Sequence, residues 1–156
     1  MPEMKEKHVP EVQAEALIQA PPETVYQLAK DIERFPEFLP NVQEVKITER
    51  DGGRVVSSWV GLVPEFKRTL KWVEEDVWDD AAHTCIFRLI SGDWDQYDGT
   101  WSFTPEGSGT LVRMTITYEY NVPLIGALIK QLLRKLVQRN VEETLAGLKQ
   151  QAERGE

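Results

Sequence analysis

Hydrophobic and polar residues alternate along most of this chain, and the places where the period changes mark its helices. EVQAEALIQA (residues 11–20) sets Val12, Ala14, Ala16 and Ile18 against Gln13, Glu15 and Gln19, the period-two signature of a half-buried strand. Pro21 and Pro22 stop it. PPETVYQLAKDI then places Val25, Leu28, Ala29 and Ile32 at helical spacing, with a proline for the first turn. FPEFLP (35–40) allows only a helical stub, because Pro36 can open a turn and Pro40 closes it. A stub this short is stable only if Phe35, Phe38 and Leu39 cover something.

From residue 41 to 120 there is no helical period. NVQEVKITER and RVVSSWVGLV flank the turn Asp51-Gly52-Gly53, and EFKRTLKWVEEDVW, HTCIFRLIS, QYDGTWSFTP and TLVRMTITYEYNV follow in short succession. Short connections between strand-like runs predict an antiparallel meander with one solvated face. The period changes again at 123–153, where Leu124, Leu128, Leu132 and Leu136 form one row and Ile125, Ile129, Leu133 and Val137 the next, prolonged by Val141, Leu145 and Leu148. Such a helix is about 45 Å long. The expected order is one strand, two short helices, six strands and a long helix.

Seven strands about 4.8 Å apart make a sheet over about 30 Å wide, whereas one helix covers about 10–12 Å. The sheet must therefore curl round the long helix. A curled sheet gripping one helix leaves an interior space, and the stub with Phe35, Phe38 and Leu39 is the element available to lid it. The fold class predicted is α+β: a curved seven-stranded antiparallel sheet wrapped around a C-terminal helix, with two short helices after strand 1. No repeat or linker divides the chain, so residues 1–156 form one domain with its core over about 10–150.

Alternation assigns the inward rows. Tyr97, Gly99, Trp101 and Phe103 share a face, as do Val112, Met114, Ile116, Tyr118 and Tyr120; Cys85, Phe87 and Leu89 point in if Arg88 stays in water. In EFKRTLKWV the parity of Phe66, Leu70 and Trp72 takes Arg68 with them. Inward, Arg68 would answer a ligand carboxylate or enolate; a strand twist would instead carry it to the rim, and both placements stay open. The face of Trp59 is open too, because Val56 and Val60 alternate against it. Trp94, in the hairpin SGDWDQ, and Leu128 and Leu132, on the long helix, complete the candidate lining. Flat, wide side chains with a few hydroxyls suit a mostly apolar site, although the same aromatics also fill ordinary cores.

Charge narrows the partners. The formal net charge is −8, which repels phosphate backbones, so nucleic acid is not an expected partner. The N-terminus MPEMKEKHVPEV lacks an apolar targeting core and no run is long enough to span a bilayer, so a cytoplasmic protein without stable membrane insertion is expected. Cys85 is the only cysteine and the two histidines, His8 and His83, have no ligand-like spacing; no metal site and no cofactor are implied. Asp93, Asp95 and Asp98 lack the glycine and distal glutamate of a calcium loop. Lys130, Arg134, Lys135 and Arg139 make a basic stretch on the long helix, the wet face of a helix or a contact for an anionic partner or a membrane surface.

FPEFLPNVQEVKI after the PPETVYQL helix, SGDWDQYDGTWSFTPEGSGTLVRMTITYEYNVP, and the long closing helix together resemble the START and Bet v 1 (SRPBCC) superfamily, especially its polyketide-cyclase and coenzyme-Q-binding branch. The resemblance spans about residues 10–150 and implies a helix-grip fold around a hydrophobic ligand cavity. It implies a binding protein for a lipid-like, quinone or polycyclic molecule, acting as carrier, chaperone or sensor. An aromatase or cyclase is the first alternative; against it, no inward histidine or carboxylate is evident to act as base. A module that binds a protein partner, as in the ribosome-associated toxins of the same branch, is the second.

Overall fold

The alternating runs become seven strands in the computed structural model, which describes residues 10–120 and 127–154. These are β1 (Glu11–Ile18), β2 (Val42–Asp51), β3 (Arg54–Val63), β4 (Arg68–Asp79), β5 (Thr84–Gly92), β6 (Gln96–Glu106) and β7 (Gly109–Glu119). The helices are α1 (Pro22–Lys30), α2 (Phe35–Phe38) and α3 (Ala127–Glu153). One antiparallel sheet runs β1-β7-β6-β5-β4-β3-β2, so consecutive hairpins build β2 to β7 and β1 returns to close the β7 edge. The curved sheet wraps α3, as the width argument requires.

Register delivers the inward rows to one concave face. Ala14 lies opposite Met114, Trp101 opposite Met114 and Cys85, Phe87 opposite Gly99, and Trp72 opposite Trp59. Between β4 and β5 the pairing steps from Val73↔Ser91 to Glu74↔Leu89, leaving Ile90 as an extra residue. Such a bulge sharpens local twist. Gly92 closes it at φ +134, where a Cβ would lie 2.4 Å from the Trp72 Cα, a position only glycine tolerates.

The buried stripe of α3 is Leu133, Val137, Val141, Leu145, Leu148 and Ala152. This corrects the expectation for its first turns: Leu128 is 79% exposed, and Ile129 and Leu132 are exposed as well. The apolar row runs further than the surface that can cover it, and burial begins only at Leu133. The predicted helical residues 123–126 lie outside the described residues.

The stub does cover something. α2 docks on β2 and α3, with Phe35 and Leu39 buried and Phe38 half-buried. Gly147 makes this possible: a Cβ there would meet Leu39 Cδ2 at 2.7 Å and Phe38 Cδ2 at 3.2 Å. A glycine inside a helix costs about 1 kcal/mol relative to alanine, so its presence in α3 reflects the close approach of the stub.

Candidate functional site

Between the concave face, α2 and α3 lies a cavity of about 120 Å³, measured as the space open to the centres of water molecules. A single water needs about 10–15 Å³ on that measure, so the space admits an organic molecule. Aromatic faces make its walls. Trp59 stacks on Trp72 (5.8 Å between centroids, 9° between planes) and Trp94 on Tyr97 (4.9 Å, 23°), while Phe35 meets Trp59 edge-on. Phe87, Trp101, Met114, Ile116, Leu133 and Val137 line the remainder.

Polar groups gather at two levels. Asn41, Glu65, Arg139, Asn140 and Thr144 line the space on the side where α3 faces the loops around 41 and 64. Two contacts tie α3 across it: Asn41 Nδ2 donates to Glu143 Oε1 at 3.1 Å, and Arg139 pairs with Glu65. Deeper in are Glu74 and Asp76 of β4, 5% and 3% exposed. Trp72 Nε1 donates to Glu74 Oε1 at 2.9 Å, and the two carboxyls hydrogen-bond each other. Among the described residues, buried Asp76 Oδ1 and Trp94 Nε1 have no partner.

Burial pushes both carboxyls above their ordinary range, and Asp76 further because the charges of Glu74 and Glu75 oppose its own. Two carboxyls in hydrogen-bonded contact require a proton between them. Among the described residues no ammonium or guanidinium is paired with either. Burial, helped by the same two carboxyls, also raises Tyr97, so its phenol stays protonated.

Glu74 and Asp76 are the candidate site residues that the sequence pattern alone did not single out. The parity of Leu70 and Trp72 continues to Glu74, Asp76 and Trp78, and all five are buried. Glu75 shows why the run EED reads as solvated: it points the other way and is held by Arg54 and Arg88 on the convex face.

Of the sequence-predicted lining, Phe35, Leu39, Trp59, Leu70, Trp72, Phe87, Trp94, Tyr97, Trp101, Met114 and Ile116 meet at the cavity. Phe38 packs behind Phe35 (5.7 Å) and Tyr118 against Trp94 (6.0 Å), one layer out. Leu89 is half-buried against the same core and does not line the space. Leu128 and Leu132 face solvent, and the side chain of Phe66 lies outside the described residues. Arg68 takes the second of its two open placements, the rim. A 3-10 turn (Pro64–Phe66) and a left-handed Lys67 (φ 51) interrupt the strand, so Arg68 opens β4 opposite Val63, the last residue of β3. It is exposed and donates to the Tyr120 hydroxyl at 2.9 Å. Its parity matches Leu70, but its depth is that of the sheet's end. Arg68→Met is therefore expected to leave both stability and affinity for neutral aromatic ligands unchanged within experimental error; calorimetric titration of 1,4-naphthoquinone checks this.

Residues 18–144 match the profile of a family described as polyketide cyclase / dehydrase and lipid transport. The chain belongs to that family. The curved sheet gripping a long helix is the helix-grip fold of the START and Bet v 1 superfamily. The crystal structure of TTHA0849 from Thermus thermophilus is of a chain 43% identical to this one, with a TM-score of 0.89 over 94% of this chain and 99% of that one. The ZhuI aromatase/cyclase from Streptomyces sp. R1128 shares the fold at 19% identity (TM-score 0.86; 94% of this chain, 95% of that one). The ribosome association toxin RatA of Escherichia coli is 24% identical over 139 residues, 83% of this chain and 84% of its own length. The chain is thus similar both to a protein named as an aromatase/cyclase and to one named as a ribosome association toxin. No helix among the described residues is long and apolar enough to cross a membrane.

Proposed function

We propose that this family member binds a flat hydrophobic small molecule inside the cavity, as a carrier, chaperone or sensor. The observation that carries this reading is the cavity wall: stacked indole and phenol faces from β3, β4 and β6 enclose a space that they do not fill. A few polar groups in a mostly apolar pocket are what small-molecule sites require. The α2 stub and the two contacts across α3 are the parts that would move to admit a ligand, since no other wall is built from so short an element.

Cyclisation of a polyketone is a second reading, favoured by one observation. Glu74 and Asp76 sharing a proton would offer both an acid and a base at neutral pH, the groups that the sequence reading did not find. Turnover of a polyketone, lost on Asp76→Asn with binding retained, would support it.

The test of the first reading is native mass spectrometry of the gently purified protein, with extraction of any bound molecule, alongside a thermal-shift panel of neutral polycyclic compounds and quinones. Expected is a discrete added mass or a melting shift with flat aromatic members of the panel. A ligand at 100 times its dissociation constant adds about 2.7 kcal/mol to folding stability. No added mass and an unmoved melting temperature across the panel would contradict it.

A further inference from the structure

We propose that the first turns of α3 dock reversibly on an anionic lipid surface and hold the cavity mouth against it. The docking stands on α3 alone; its use, the passage of a hydrophobic molecule between bilayer and cavity, rests on the reading of the cavity as a ligand site.

Residues four apart stack on one side of a helix, so Leu128, Leu132 and Leu136 form a single ridge about 12 Å long at 1.5 Å per residue. Leu128 is 79% exposed and Leu132 37% exposed, whereas Leu136 is half-buried and lines the cavity beside Arg139 and Asn140. Ile129, 40% exposed, widens the outer end. Single apolar side chains on a surface are ordinary, but a contiguous patch marks a place of interaction. This one runs from open solvent into the mouth of the cavity.

Charge names the occupant. Residues 127–139 carry Lys130, Arg134, Lys135 and Arg139 and no carboxylate, in a chain whose formal net charge is −8. Glu65 answers Arg139, and Arg134 donates to the neutral Glu11 carbonyl. Lys130, Arg134 and Lys135 are exposed and, among the described residues, none is paired with a carboxylate. At 100° per residue Lys135 stands beside the ridge, with Lys130 and Arg134 further round the helix. The approach that brings all three to one surface is therefore tip first, Leu128 foremost, with the long cationic side chains reaching the headgroups. Apolar side chains at the headgroup boundary with cations around them are what an anionic bilayer binds. A protein partner fits less well, because the cores of protein interfaces favour aromatic residues and disfavour lysine, and this patch is aliphatic with lysines at its edge. No helix among the described residues is long and apolar enough to span a bilayer, so the contact is peripheral.

The experiment is co-sedimentation of the intact protein with vesicles of phosphatidylcholine alone and of phosphatidylcholine with phosphatidylglycerol in equal parts. Two variants accompany it, Leu128→Gln with Leu132→Gln and Lys130→Gln with Lys135→Gln. All four side chains are exposed, so both variants should melt with wild type. Each cation near an anionic surface strengthens binding about fivefold. Expected is wild-type binding to the anionic vesicles about tenfold or more above that to the neutral ones, a preference lost in molar salt, where screening shortens to about 3 Å. The lysine variant should lose most of that preference, and the leucine variant should bind both kinds of vesicle about tenfold more weakly. Transfer of N-phenyl-1-naphthylamine out of the protein, followed as recovery of tryptophan emission, should quicken with vesicle concentration in wild type and not in the leucine variant. Wild type that sediments with neither vesicle, or with both alike, would overturn the proposal. So would dimerisation in place of vesicle binding, which would assign the ridge to a second copy. Binding that needs the lysines but not the leucines would overturn it in favour of a purely electrostatic contact such as an acidic protein surface. Vesicle binding as expected, by a protein that takes up no fluorophore, would remove the cavity reading and leave the docking surface standing.

Discussion

The double replacement Glu74→Gln, Asp76→Asn is expected to stabilise the protein in neutral and mildly alkaline solution, by about 1–4 kcal/mol if the range for buried ion pairs replaced by hydrophobic residues of similar volume is the guide. In acid it should change stability little. Both folded-state carboxyls titrate above their ordinary values, because burial disfavours the charged form, and Glu74 further opposes the ionisation of Asp76. The folded protein therefore holds protons that the unfolded chain has already released. Stability from that protonation is fully present below the ordinary carboxylate range and is lost as pH rises through the raised values of the pair. Glu23, Glu65, Glu75, Asp80 and Glu153 titrate below their ordinary values, mainly through hydrogen bonds. Their contribution has the opposite sign, present above the ordinary range and lost as pH falls through the lowered values. All five are solvated enough for screening to keep it small. Urea denaturation at pH 5 and pH 8 separates the two groups. Wild type should lose stability between those values and the double variant should not; a wild type equally stable at both would place the pair in water.

Phe35→Ala should cost about 3–5 kcal/mol, the range for truncating a fully packed aromatic side chain. Phe35 is 3% exposed and meets both Phe38 and Trp59 at 5.7–5.9 Å. Phe38, one turn on, is only half-buried, and its ring lies over Gly147. Phe38→Ala should cost a fraction of that amount and raise the rates at which a neutral aromatic ligand enters and leaves. The pair distinguishes hinge from flap within one four-residue helix. Stopped-flow exchange measurements with urea denaturation of each variant check it, and equal stability losses with unchanged exchange rates would make α2 simply part of the core.

The elements themselves were legible because each is announced by a break in period. The turn Asp51-Gly52-Gly53 and the prolines at 21, 22, 36, 40 and 64 stand at or within three residues of observed element ends. The curl was legible from width alone. What parity could not convey was depth. Arg68 and Leu70 have the same parity, yet one opens the strand in solvent and the other is 4% exposed. Leu128 and Leu133 belong to one apolar stripe, yet only the second lies where the sheet can cover it. The chemistry was hidden for a related reason. Three acidic residues in a row, Glu74-Glu75-Asp76, read as surface by composition, and only the strand's alternation divides them into one outward carboxylate held by two arginines and two inward ones held by each other. Extending the row Leu70, Trp72 by two more positions would have found them. The unpartnered Trp94 Nε1 had no sequence signal at all, because it depends on how the β5–β6 hairpin folds over Trp72 and Tyr97.

The central claim is that this protein encloses a ligand-sized space and not a filled core, and a paired titration with the neutral fluorophore N-phenyl-1-naphthylamine tests it most directly. Met114 lines the cavity from β7 and is 8% exposed, so Met114→Trp would occupy the space with an indole. Expected are saturable fluorescence enhancement in wild type at one fluorophore per chain, its loss in Met114→Trp, and a melting temperature in the variant close to that of wild type. A filled core would give the reverse: no saturable enhancement in wild type, and a variant destabilised by about 1–3 kcal/mol as overpacked side chains are forced off their rotamers.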